Sequence, residues 1–377
     1  MKERLRQIAI DEGCAGFGVT GAEEFAGVAD AINHRNETGF SGRIRFTYKS
    51  PELAADVRRS LSWAKSLVVI SWSYVPEAGS PGPAVAGTGR IARFATADHY
   101  TGLRHAAAAI EAELQKRGRR AEVLIDDDRL VDRAAAVRAG LAWWGKSTMA
   151  LDPKHGPWLL LGSVATDARL PRDHPTRRDC GSCDACIPAC PTGAIVAPGT
   201  LDARRCLAHW LQTAGVFPVE LRAPLGDRIY GCDDCLDACP PGVKRIVATS
   251  EIRGRVDLIG LLAATDAELL EHYAHFYLPR RRPRILRRNA ILALGNSYAD
   301  CGDCDGVADC LEAISVLAGF LAGRDEQLRL HSAWALGRIG GREARRLLAA
   351  RVDVERVPAV SAELAAALSG GGRATLE

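Results

Sequence analysis

The sequence predicts a multidomain α/β-plus-α protein: an α/β domain over residues 1–172, a small cysteine-rich module over 173–250 and a helical region over 251–377. Three observations carry that expectation. Helical and strand-like patterns alternate through the first 172 residues, the mark of layered α/β architecture. Eight cysteines fall between Cys180 and Cys239 at regular spacings, and beyond about residue 250 the strand patterns give way to Ala/Leu-rich helical ones. The 377 residues are enough for two or three domains with a real core. A formal net charge of +3 decides nothing about partners, so a nucleic-acid ligand has to be argued from local clusters.

In chain order, Lys2–Glu12 sets Leu5, Ile8 and Ala9 at helical spacing and stops at Gly13, and Cys14–Val19 reads as a short buried strand. Cys14 is simply a buried strand residue in this reading. The β-branched run Ser66–Trp72 suits a sheet interior, while Gly79–Gly89 is a loop by composition, either a surface connection or a lid. A helix over Tyr100–Arg117 carries Leu103, Ile110 and Leu114 on one face. Ala121–Ile125 follows as a strand, Arg129–Ala139 as a helix ended by Gly140, and Trp158–Thr166 as another strand. No GxGxxG or Walker loop joins a strand to a helix, which disfavours a Rossmann or P-loop site. Asp126, Asp127 and Asp128 sit at a strand-to-helix handover, where one acid would cap the helix and all three would favour its positive end. Asp132 and Arg133 read as solvated charges, and Trp143-Trp144-Gly145-Lys146-Ser147-Thr148 as either core or one wall of a cofactor pocket.

The cysteines run Cys180-x2-Cys183-x2-Cys186-x3-Cys190-Pro191, then Cys206, then Cys232-x2-Cys235-x3-Cys239-Pro240. This is the spacing by which two-cluster ferredoxins hold [4Fe-4S] cubanes, three thiolates from one loop and the fourth cysteine crossing to the other cluster. One cluster would take Cys180, Cys183, Cys186 and Cys239, and the other Cys190, Cys206, Cys232 and Cys235. Zinc has no use for a third and fourth cysteine repeated with crossover. The chain opens without an apolar signal region and holds no apolar stretch of membrane length, so it reads as cytoplasmic, where thiols stay reduced. Cys301-x2-Cys304-x5-Cys310 begins like a metal site but offers three thiols, and reads as an inserted loop with incidental cysteines or, alternatively, a zinc site.

Several segments together resemble the epoxyqueuosine reductases, a family of cobalamin-dependent iron–sulfur enzymes that perform the last step in making queuosine in tRNA. They are Arg90-Ile91-Ala92-Arg93-Phe94-Ala95 with His99-Tyr100, Asp126 with Asp132-Arg133, Ala139–Lys146, and the double cysteine motif with Pro191–Ile195. Arg205-Cys206-Leu207, Gly226–Asp233, Arg288–Leu294 and Ala333–Gly337 extend the likeness nearly end to end. The resemblance implies a nitroreductase-like α/β cobalamin domain, a ferredoxin-like module passing electrons from an unspecified donor to cobalt, and a HEAT-like helical domain, in a protein expected to be a monomer. It implies Asp126 as the acid that protonates the epoxide oxygen, provided burial keeps it protonated, and Ala92, Arg93, Asp126, Lys146, Met149, Ala150 and Leu161 as cobalamin contacts. The chain departs from the family where Ala54-Ala55-Asp56-Val57 replaces a stretch with an arginine, for which Arg58 is the substitute at hand, and where Leu236 and Pro241-Gly242 neighbour cluster cysteines.

Arg287–Ser297 and Leu328–Ile339 each pair an Arg-rich start with an Ala/Leu helix, as HEAT-type repeats do. Residues 280–288 hold six arginines, Arg280, Arg281, Arg282, Arg284, Arg287 and Arg288, with no interleaved acid. On an enzyme expected to grip an anticodon stem-loop they read as phosphate contacts, with Arg222, Arg228 and Tyr230 toward the loop. Two other readings stay open: a related reductase acting on a small epoxide or organohalide, and a ferredoxin-like electron carrier with a protein-binding helical tail.

Overall fold

The computed structural model describes residues 1–75, 82–246, 253–299 and 307–370. The chain forms two compact units from interleaved segments, the first from Met1–Gly79, Ala97–Cys206 and Asp233–Thr249, the second from Ser80–Thr96, Leu207–Cys232 and Ser250–Glu377. The three-part division at 172 and 250 follows the chain, whereas in space Ser80–Thr96 joins the second unit. The reason is strand pairing: Thr88–Ile91 lies between Arg228–Tyr230 and Arg255–Asp257 in a three-stranded sheet.

The first unit is built on four strands in the order Gly16–Gly21, Ser66–Ser73, Leu159–Thr166, Ala121–Leu124, each neighbouring pair antiparallel. Leu67, Val68, Val69 and Ile70 are all fully buried, because both faces of the sheet are covered. Leu67, Val69 and Ala165 share a core with Ala134, Ala135 and Ala136 of the helix Asp132–Arg138. On the opposite face, Trp72 and Gly162 meet Gly102 and Leu103 of the helix His99–Lys116. The α/β layering read from the alternation is therefore present, with a sheet that is antiparallel throughout.

The Asp132–Arg138 helix ends as expected. Gly140 takes φ +77°, its N–H bonds Val137 O, and the Leu141 N–H reaches back to Ala136 O, a left-handed termination that favours glycine. Its start differs from the expected Arg129. The Asp127 carboxylate accepts from the Arg129 backbone N–H at 2.9 Å and from its guanidinium at 2.8 and 2.6 Å, so residues 127–131 form a turn, and no acid side chain caps the helix.

In the second unit the helices Arg284–Ser297, Glu326–Ile339 and Pro358–Leu368 stack in succession, with Ala308–Ala322 and Gly341–Val352 alongside, the arrangement expected of a helical repeat. Gly295 permits the first contact of that stack, since a Cβ there would stand 2.8 Å from Ala335 Cα. Among the described residues no helix is long and apolar enough to cross a membrane.

Candidate active site and cluster cysteines

Asp126 lies just past the end of the Ala121–Leu124 strand. That strand's last pair is Leu124 with Ser163, and Asp126 follows two residues beyond it. Its backbone is left-handed at φ 49°, a conformation aspartate tolerates better than most residues and one that gathers at functional sites. The Asp126 side chain is exposed, so the burial its expected role required is not supplied by the protein. Tyr100 donates a hydrogen bond to it, and burial, followed by the Asp126 charge, holds the tyrosine hydroxyl well above its usual range.

Asp132 is where the burial falls. Its Oδ1 has no contact with solvent and no hydrogen-bond partner, and burial followed by the Asp126 charge raises its carboxyl well above the ordinary range. The reading of Asp132 as a solvated charge is thereby corrected. A signal was present in the sequence: the acid opens a helix whose Ala134, Ala135 and Ala136 are too small to hold the neighbouring core away from it.

Of the other expected cobalamin contacts, Leu161 and Ala150 share the core of Leu124, Leu130 and Ala142. Met149 packs with Trp143 and Leu151 against Cys239 and Cys180. Lys146 sits in the turn of the hairpin Trp143–Trp144/Ala150–Leu151, and its Nζ donates to Gly181 O at 2.9 Å, facing the first cysteine loop. Ala92 and Arg93 are buried members of the second unit, where the Ala92 N–H bonds Tyr230 O at 2.8 Å. Arg58, the substitute for the family arginine, is held by Asp56 through Nε at 2.9 Å and Nη2 at 3.0 Å.

None of the eight motif cysteines is disulfide-bonded. Burial raises the Cys239 thiol, and the sulfurs of Cys180, Cys186 and Cys183 act on it in the same direction. Burial likewise raises Cys235, with Cys206 and Cys190 the next contributors. Cys186 acts on Cys235 as well, across the two expected groups, and Cys232 ends a segment of the second unit three residues before Cys235. Cys190 Sγ also accepts the Ala194 N–H at 3.2 Å, a bond made by the turn after Pro191. Cys301 and Cys304 lie outside the described residues. Cys310 is fully buried on the helix Ala308–Ala322 and is disulfide-bonded, so it is neither incidental nor a free thiolate for zinc.

The expected RNA contacts divide by burial. Arg288 is interior at 2% exposure, its guanidinium donating to Trp210 O, Thr213 O and Gly215 O at 2.6–2.8 Å. Arg222 is interior too, paired with Glu363 at 2.9 Å, and Tyr230 is buried with its hydroxyl accepting the Tyr277 N–H at 2.7 Å. Each holds the fold, which removes these three from a surface role. Arg284 pairs with Asp325 at 3.2 Å, Arg287 with Asp266 and Ala264 O, and Arg228 donates to Leu225 O at 2.7 Å. Arg280, Arg281 and Arg282 are exposed, with left-handed backbone at the first two, and their guanidinium groups have no partner among the described residues. Tyr277, missed by sequence reasoning, stands 68% exposed three residues before Arg280.

A family model described as a 4Fe-4S double cluster binding domain matches residues 179–242. The epoxyqueuosine reductase of Bacillus subtilis strain 168 is 32% identical over 358 residues, covering 90% of this chain and 88% of that one. Among solved structures, an epoxyqueuosine reductase with an epoxyqueuosine-modified tRNA-Tyr stem loop superposes with a TM-score of 0.86 at 29% identity, covering 98% of both chains. The Bacillus subtilis enzyme with its catalytic aspartate loop swung out of the active site does so at 0.86, with 28% identity and 98% of both chains. With likeness running the length of the fold and eight cysteines in the spacing of two clusters, the chain belongs to the epoxyqueuosine reductase family.

Proposed function

We propose that this protein reduces epoxyqueuosine to queuosine in tRNA, with Asp126 as proton donor, two [4Fe-4S] clusters and cobalamin. The observation that carries the proposal is the exposed, left-handed Asp126 at a strand end, in the same unit as seven of the eight ferredoxin-spaced cysteines. The family likeness and the solved relative holding a modified tRNA stem loop support tRNA as substrate over a small epoxide or organohalide.

Cys180, Cys183, Cys186 and Cys239 would hold one cluster, and Cys190, Cys206, Cys232 and Cys235 the other. An all-thiolate donor set with neighbours that raise one another's pKa fits a cationic iron core, which relieves that repulsion. Cobalamin would lie at the Asp126 end of the sheet, beside the half-buried Leu161 and the Asp126 carboxyl that Tyr100 holds. When bound, it supplies a strongly reducing cobalt centre.

The conversion consumes two electrons and two protons and releases the epoxide oxygen as water. Asp126 gives a proton to that oxygen as its C–O bond opens. Tyr100 orients the Asp126 carboxyl through its hydrogen bond. Asp132 keeps its own proton, and a substrate base seated over the exposed Asp126 would provide the burial that the protein alone leaves out. Arg280, Arg281 and Arg282 would meet the phosphate backbone of the anticodon stem-loop.

The test is anaerobic turnover of tRNA carrying epoxyqueuosine by reconstituted protein with cobalamin and a strong reductant, read by nucleoside mass analysis. Queuosine from wild type and at least a hundredfold less from Asp126→Asn is expected, the scale of a lost general acid. No queuosine from protein with full iron and bound corrinoid would overturn the proposal.

A further inference from the structure

Two side chains of opposite charge, Lys146 and Asp179, meet the loop of the first cysteine group. Lys146 grips the loop of the first group: its Nζ donates to Gly181 O at 2.9 Å, while Asp179 accepts the Gly181 N–H at 2.7 Å, so this peptide is held from both sides. Gly181 sits at φ +50° between Cys180 and Cys183. The main chain of Lys146 is fixed as well, its carbonyl accepting the Gly199 N–H at 2.9 Å. From that position the ammonium acts on the Cys186 sulfur. The same hairpin supplies Trp143, Met149 and Leu151 as an apolar wall against Cys239 and Cys180.

We propose that Lys146 is a positioning residue for electron transfer, its charge raising the reduction potential of the cluster on Cys180, Cys183, Cys186 and Cys239. The inference rests on the cluster assignment above. A cubane with four thiolates is an anion, and reduction adds one electron and no proton. A fixed cation therefore stabilises the reduced form more than the oxidised one, net charge being one of the levers on such potentials.

The test is a redox titration of the reconstituted protein without tRNA, followed by electron paramagnetic resonance, on wild type and Lys146→Gln, Lys146→Met and Lys146→Arg. Gln keeps a donor for Gly181 O without charge, and Arg keeps the charge. The expected result is one midpoint lowered in both Gln and Met, by about tenfold in the reduced-to-oxidised ratio, which for a one-electron couple is about 59 mV, and retained in Arg. In Cys183→Ala, which removes one ligand of this cluster, the surviving midpoint should be the one Lys146→Gln leaves unmoved. Unmoved midpoints in fully loaded Gln and Met variants overturn the proposal, as does an equal shift of both midpoints. A shift in Met alone assigns the effect to the lost hydrogen bond and also overturns it. Fewer than two cubanes per wild-type chain by iron and sulfide analysis would sink the cluster assignment itself, a failure distinct from a null shift.

Discussion

Asp126 and Asp132 stand six residues apart and in opposite environments, one exposed beyond a strand end, the other with an oxygen sealed from water. Burial and the Asp126 charge raise the Asp132 carboxyl, so the folded chain holds this proton while the unfolded chain releases it above a pH of about 3.9. The folded state binds more protons over that window, so the group's contribution to stability falls as pH rises from about 4 toward its folded-state pKa. Asp132→Asn, neutral throughout, should melt higher than wild type at pH 7, with a gap that narrows toward pH 4; thermal melts across that range would show it. A gap constant with pH would mean that Asp132 is ionised in the fold. Arginines in one run likewise part company. Arg288→Ala should lower the unfolding midpoint, because it frees one buried carbonyl and two part-buried ones, a buried unsatisfied group costing about 1–3 kcal/mol. Replacing Arg280, Arg281 and Arg282 with Ala should leave that midpoint unchanged.

At the scale of elements, those three arginines occupy an exposed left-handed turn leading into the helix Arg284–Ser297. If all three meet phosphates, the triple Ala variant should bind the stem-loop more weakly and reduce the slope of log K against log salt by about two, at roughly 0.7 per single-strand contact. An unchanged slope in a filter-binding series would place the RNA elsewhere. Within the helical stack, Gly295→Ala forces a methyl to 2.8 Å from the Ala335 backbone, which cannot step aside as a side chain could. A loss of about 1–3 kcal/mol is expected from such overpacking, read as a lower urea midpoint at unchanged slope. The caps were legible in the sequence at Gly140, where chirality demands glycine. The start of the same helix was misread, because Asp127 bonds Arg129 two residues on instead of a helical N–H.

For the whole molecule, raised thiol pKa values at Cys235 and Cys239 mean that thiolates there need a metal, so cluster assembly should release protons and stabilise the first unit. Anaerobic removal of iron with a chelator should lower its melting temperature. The helical circular dichroism of the second unit, whose core of Leu, Ile and Ala side chains includes few cysteines, should persist. Loss of both signals at one temperature would show that the metal holds the units together as one cooperative fold.

By itself the sequence determined the chemistry that depends on local spacing. Cysteines two and three residues apart can share a metal group wherever their loop lies, a β-branched run seeks a sheet interior, and a glycine after a helical pattern ends it. The iron–sulfur module was readable on those terms, and the family by the resemblance of its motifs along the chain. Tertiary structure alone decided which side chains are available. It drew Thr88–Ile91 out of the N-terminal segment into the second unit's sheet, buried Arg288, Arg222 and Tyr230 while leaving Arg280–Arg282 in water, sealed Asp132 and exposed Asp126, and turned Lys146 toward the cysteine loop. Burial and electrostatics are sums over neighbours distant in sequence, and a charge looks the same in the chain whether it will face water, a carbonyl or a sulfur.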